Sequence, residues 1–205
     1  TSLAKPEMAD RLDDMGVELR DGHDALISPE FDQVVVNPAV DHRSPVLQDA
    51  VARGVEVIGE IEFAYRHAVA PIVAVTGTNG KSTTAVMTYR CLEAVGERPV
   101  LCGNIFGSGL PETTLTEAAL RAGPEETLVA EISSFQLEWV RSFRPVAGAI
   151  TNISPDHLDR YATFAEYAET KMRLFAAQES GDFAVLRSGD PVASLGQNHR
   201  GELRT

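Results

Sequence analysis

From Gln33 onward, short apolar runs alternate with amphipathic stretches whose apolar residues recur at helical spacing. Strands are expected at residues 33–36, 56–58, 72–76, 99–102, 128–131, 148–152 and 184–186. Helices are expected at 45–53, 61–67, 82–95, 115–122 and 164–177. Strand and helix in turn make an α/β fold with a parallel sheet. A boundary is expected near 68–71, giving a short domain over 1–68 and a larger one over 69–205. The polar stretch 194–205 carries no expected strand or helix, so the larger domain reads as cut short. No internal repeat is visible.

Composition narrows the classes. Apolar residues make up 43% of the 205, enough to fill a core. No apolar run approaches the roughly 20 residues that span a bilayer. Thr1–Asp10 lacks a basic region followed by an apolar stretch, so no signal peptide is expected, and the missing initiator Met is expected of a fragment. A net charge of −12 argues against a nucleic-acid partner, which needs a basic face. Lysine occurs only at positions 5, 81 and 171, which draws attention to the two inside motifs. Cys91 and Cys102 lack metal-binding spacing and fit a reducing cytosol.

The run Ile72-Val-Ala-Val-Thr76, then Gly77-Thr78-Asn79-Gly80-Lys81-Ser82-Thr83, reads as strand, glycine-rich turn and helix start. That order points backbone N–H groups at a phosphate. Gly77 and Gly80 let the backbone curl, Lys81 offers a charge to the β- and γ-phosphates, and the Ser82 hydroxyl can ligate Mg²⁺. The common pattern has a further glycine where this chain has Val75, so the loop is a variant. A plain glycine turn beside a surface lysine is the alternative.

Glu131 closes the expected strand 128–131 and would face the loop from the carboxyl edge of the sheet. It can hold Mg²⁺, cap a helix or stand in solvent. Asp156, His157, Asp159 and Arg160 crowd the next loop, where His157 is either a structural or solvated residue or a metal or substrate contact. On a helix over 164–177, Phe164, Ala168 and Phe175 form an apolar stripe with Lys171 in its middle and Tyr167 one turn earlier. Such a lysine snorkels, finds a counter-ion, or becomes a neutral, nucleophilic amine.

These segments resemble the Mur ligase family and its relative folylpolyglutamate synthase. Gly77–Thr83 is similar to the family's ATP loop. Glu131-Ile-Ser-Ser-Phe-Gln-Leu-Glu138 resembles the branch that adds D-glutamate. Thr151-Asn-Ile-Ser-Pro-Asp-His-Leu-Asp-Arg-Tyr161 and Tyr167-Ala-Glu-Thr-Lys171 follow in family order, and the likeness covers roughly 45–190. It implies a partial Rossmann-like N-terminal segment for the UDP-substrate, then a P-loop ATP-binding central domain. It also implies a cytoplasmic, monomeric ligase. ATP would phosphorylate UDP-N-acetylmuramoyl-L-alanine, and D-glutamate would attack the acyl phosphate. Lys81 and Thr83 would bind phosphates, and Ser82 and Glu131 the first Mg²⁺. His157 would ligate a second ion, helped by a CO₂-derived carbamate on Lys171. Asn104, Ser133 and Ser134 would contact the UDP-muramoyl substrate.

The chain departs from the family at Gly103-Asn-Ile-Phe-Gly107, usually Gly-Asn-Ile-Gly, and at Asn37-Pro38-Ala39, usually Ser-Pro-Gly. The glycine-rich UDP turn and the glutamate-binding third domain are not found in it, so residues 1–205 alone are expected to lack ligase activity. Three other readings stay open: a sister Mur or folate-type ligase, a P-loop phosphotransferase, and a nucleotide-binding module without catalysis.

Overall fold

A computed structural model describes residues 6–18, 31–187 and 202–204. The chain divides into two compact units. One takes the described residues up to Val34 with His42–Val57, the other Val35–Asp41 with those from Ile58 onward. Helix α1 (Pro6–Asp14), unforeseen in the sequence, and α2 (Pro45–Ala52) lie in the first. Strands β1 (Gln33–Val36) and β2 (Glu56–Gly59) form a small sheet of their own.

The second unit holds a six-stranded sheet whose neighbours are all parallel: β3 (Ile72–Thr76), β4 (Arg98–Gly103), β5 (Glu126–Glu131), β6 (Ala147–Ile150), β7 (Phe183–Leu186) and β8 (Glu202–Arg204). Their order is β4-β5-β3-β6-β7-β8. The polar tail therefore does contain a closing strand. Backbone pairing with β7 at Phe183–Glu202 and Ala184–Leu203 is what makes β8, and no apolar run announces it.

Successive side chains of β3, β4 and β5 go to opposite faces. Ile72, Ala74, Cys102, Leu128 and Ala130 join one buried cluster, with residues of α3 (Glu60–His67), α5 (Leu115–Arg121) and α7 (Phe164–Met172). Val75, Leu101 and Val129 join another, with Ala85 of α4 (Lys81–Ala94). Burial of both faces is why these strands read as continuous apolar runs. Within the first layer, Glu62 of α3 has no exposure and accepts the N–H groups of Arg141, Ser142 and Phe143, plus the Ser142 hydroxyl. Burial pushes this carboxyl up, but those bonds and Arg66 more than offset it and hold it below its ordinary value.

Helix α7 stops at Met172, and Arg173–Phe175 tightens into a 3-10 turn rather than continuing to 177. The turn lays Leu174 and Phe175 over Gly148 of β6, where a Cβ would sit 2.9 Å from the Phe175 ring. A four-residue helix, α6 (Ser134–Leu137), follows β5. Among the described residues no helix is long and apolar enough to cross a membrane.

Candidate functional site

Strands β3, β4, β5 and β6 end at one edge: Val75 pairs with Glu131, Gly103 with Glu131, and Thr76 with Ile150. The chain leaves β3 towards β4 on one side, and β6 lies on the other. Their loops therefore flank the point where strand order reverses, the usual ligand position in open α/β sheets. A cleft of about 510 Å³ opens there, lined by Gly77, Thr78, Lys81, Asn104, Ser133, Ser134, His157 and Lys171, among others. A smaller groove of about 350 Å³ lies beside β4 and α5, and none of the expected site residues lines it.

The loop between β3 and α4 is shaped by its glycines. Gly77 has φ 146°, and a Cβ there would stand 2.0 Å from Thr151 Oγ1. Gly80 is left-handed at φ 81° and caps α4, so the helix begins at Lys81, one residue earlier than its pattern suggested. Lys81 Nζ donates to Thr78 O at 2.9 Å. The Ser82 hydroxyl donates to Glu131 Oε2 at 2.6 Å, and Asn104 Nδ2 to Oε1 at 3.3 Å. Glu131 is buried, so its carboxylate, with the Ser82 oxygen beside it, is an oxygen-rich corner suited to a hard cation such as Mg²⁺.

Lys171 is 2% exposed on the buried face of α7. Its ammonium donates to Gly77 O at 2.9 Å and lies 4.7 Å from the centre of the Tyr167 ring. No carboxylate among the described residues is within ion-pair distance of it. Burial first, then the Lys81 cation, drive its pKa down to about 7, with Asp156 pulling the other way. The Tyr167 hydroxyl reaches Thr78 Oγ1 at 3.1 Å, and burial holds its pKa up.

His157 sits at φ 52° in the turn after β6, packed at 4.8 Å against the Phe135 ring. Its Nε2 is 3.6 Å from Asp156 Oδ2. Behind it, Arg160 forms a two-point pair with Glu138 at 2.8 and 2.6 Å, donates to Val40 O, and lies 4.2 Å from the Phe135 ring centre. Ser133 caps α6 reciprocally with Gln136.

The expected residues thus gather as two close groups, Ser82–Glu131–Asn104 and Lys171–Gly77–Thr78, with His157, Ser133 and Ser134 on the cleft wall. Asn79 and Gly80 shape the loop behind it, and Thr83 occupies the exposed first turn of α4. No three His, Cys, Asp or Glu side chains among the described residues cluster as a ready-made metal site. Sequence reasoning missed Asn152, which clamps the loop, and Glu138, the buried partner of Arg160.

The Mur ligase middle domain matches residues 75–203. The UDP-N-acetylmuramoylalanine–D-glutamate ligase of Geobacter metallireducens is 49% identical over 174 residues, 85% of this chain and 37% of that protein. Its namesake from Pelotomaculum thermopropionicum is 45% identical over 195 residues, 93% of this chain and 42% of that protein. Among solved structures, a UDP-N-acetylmuramate:L-alanyl-gamma-D-glutamyl-meso-diaminopimelate ligase from Neisseria meningitides superposes with TM-score 0.57 at 18% identity. That match covers 99% of this chain and 68% of the other. The chain belongs to the Mur ligase family. It spans about two fifths of the length of the curated relatives it matches.

Proposed function

We propose that this chain is the ATP-binding part of a cytoplasmic ligase that joins D-glutamate to UDP-N-acetylmuramoyl-L-alanine in peptidoglycan synthesis. The carrying observation is the Ser82–Glu131 pair, 2.6 Å apart, at the mouth of the glycine loop. It combines a hydroxyl and a buried carboxylate where the phosphates and Mg²⁺ of ATP would lie. The relatives that share 45–49% of their aligned residues with this chain carry that activity in their names.

In this reading the loop amides from Gly80 onward, with Lys81 and Thr83, hold the phosphates. Ser82 and Glu131 would hold a Mg²⁺ ion, whose chemistry would be to withdraw charge from the phosphoryl group. The substrate carboxylate attacks the γ-phosphorus and ADP leaves. The D-glutamate amine then displaces phosphate from the acyl phosphate. His157 stands ready to serve a second Mg²⁺, and Asn104, Ser133 and Ser134 to hold the UDP-muramoyl substrate. The amine of Lys171, whose pKa burial lowers to about 7, is suited to react with CO₂, and as a carbamate it would help His157 hold that ion. The division into a UDP-substrate domain over 1–68 and an ATP domain over 69–205 belongs to the same reading.

The test is phosphate release by the full-length ligase with ATP, Mg²⁺, UDP-N-acetylmuramoyl-L-alanine and D-glutamate, each omitted in turn. Release that needs all four supports the assignment. Release that needs neither substrate, or a different acceptor, overturns it.

A further inference from the structure

The loop after β6 grips the glycine loop through one side chain. Asn152 Nδ2 donates to Asn79 O at 2.9 Å, while Asn79 N–H donates back to Asn152 Oδ1 at 3.1 Å. The amide thus pairs with both backbone groups of a single residue, as a neighbouring strand would. Two further bonds fix the same junction: Thr78 N–H to Asn152 O at 2.9 Å, and Thr151 Oγ1 to Asn79 O at 2.6 Å. The amides of Thr78 and Asn79 are therefore turned towards β6 and away from any phosphate. The donors left to face one are those that open α4, which have no intrahelical acceptor.

We propose that Asn152 is a positioning residue for nucleotide binding. By occupying both backbone groups of Asn79 it holds the loop in the one curl that aims the α4 amides and Lys81 at the phosphates. This rests on the nucleotide reading above. Four hydrogen bonds at this one junction hold the loop in shape, which spares it the cost of being ordered when nucleotide arrives. Removing the amide forfeits both hydrogen bonds to Asn79 and leaves that stretch of the loop to be ordered on binding.

The experiment measures binding of a fluorescent ATP analogue to the full-length ligase, unsubstituted and as Asn152→Ala and Asn152→Asp. Hydrogen exchange is followed across residues 75–83 in the absence of nucleotide. Asn152→Asp keeps the size and the acceptor but loses the donor to Asn79 O, so it decides the matter should the alanine variant fold poorly. Expected are about tenfold or weaker binding in both variants and faster exchange at Thr78 and Asn79. The melting temperature without nucleotide should fall by a few degrees at most, and the KM for D-glutamate should stay near that of the unsubstituted protein. Unchanged binding by Asn152→Asp overturns the proposal. So does weaker binding matched by an equal loss of D-glutamate affinity and a large drop in melting temperature, which marks general destabilisation. Failure of the unsubstituted protein to bind nucleotide would instead remove the reading on which the proposal stands.

Discussion

Lys171 Nζ and Gly77 O are 2.9 Å apart, although 94 positions separate the two residues. The bond joins the buried face of α7 to the first residue of the glycine loop. It places an amine whose pKa is lowered to about 7 at the edge of the cleft.

That amine imposes a pH dependence. The unfolded chain holds the Lys171 proton up to about 10.4, the folded one only to about 7, so the unfolded state binds more protons between these values. Stability is therefore lowest below pH 7 and rises with pH through that window, by up to ~1.4 kcal/mol per unit. In bicarbonate-free buffer, Lys171→Met is expected to flatten this rise and to melt higher than the unsubstituted protein at pH 6. Parallel curves of melting temperature against pH for the two proteins would contradict it.

Gly77→Ala is expected to abolish nucleotide binding. The new methyl meets Thr151 Oγ1 at 2.0 Å, and a φ of 146° is strained for any side chain. Overpacking and backbone strain together cost about 3 kcal/mol. Chemical denaturation and nucleotide titration check this, and wild-type stability would count against the loop geometry.

For the cation corner, Ser82→Ala and Glu131→Gln should each weaken divalent binding by about tenfold or more, since each removes an oxygen ligand or its charge. Manganese binding read by electron paramagnetic resonance in the presence of ADP gives the affinity without turnover. Equal affinity in Glu131→Gln would exclude the carboxylate as a ligand.

The Arg160–Glu138 pair is buried, with 9% and 5% side-chain exposure. Arg160→Met strands a carboxylate at a cost of about 3–5 kcal/mol, whereas exchanging both residues for apolar ones restores most of it. Denaturant midpoints of Arg160→Met, Glu138→Leu and the double variant should therefore be strongly non-additive. Losses that simply sum would contradict a coupled pair.

Much of this was legible in the sequence. Strands β3 and β5 show as apolar runs because both their faces are buried, and the stripe on α7 carries Lys171 where it was expected. Helix α6 was missed, although Ser133 and Gln136 at capping-box spacing announced it. Strand β8 exists only through its partner, so no local pattern could mark it. The Asn152 clamp depends on β6 lying next to β3, and the Arg160–Glu138 pair on the loops of β5 and β6 meeting across β3. Both are consequences of strand order, which spacing along a chain does not contain.

The most direct measurement follows an oxygen atom. The full-length ligase is supplied with ATP, Mg²⁺, D-glutamate and UDP-N-acetylmuramoyl-L-alanine carrying ¹⁸O in its free carboxylate, and the released phosphate is analysed by mass. Attack of that carboxylate on the γ-phosphorus, followed by displacement by the amine, leaves one labelled oxygen in each phosphate. Phosphate free of label, released at the rate of product formation, would contradict an acyl-phosphate ligase.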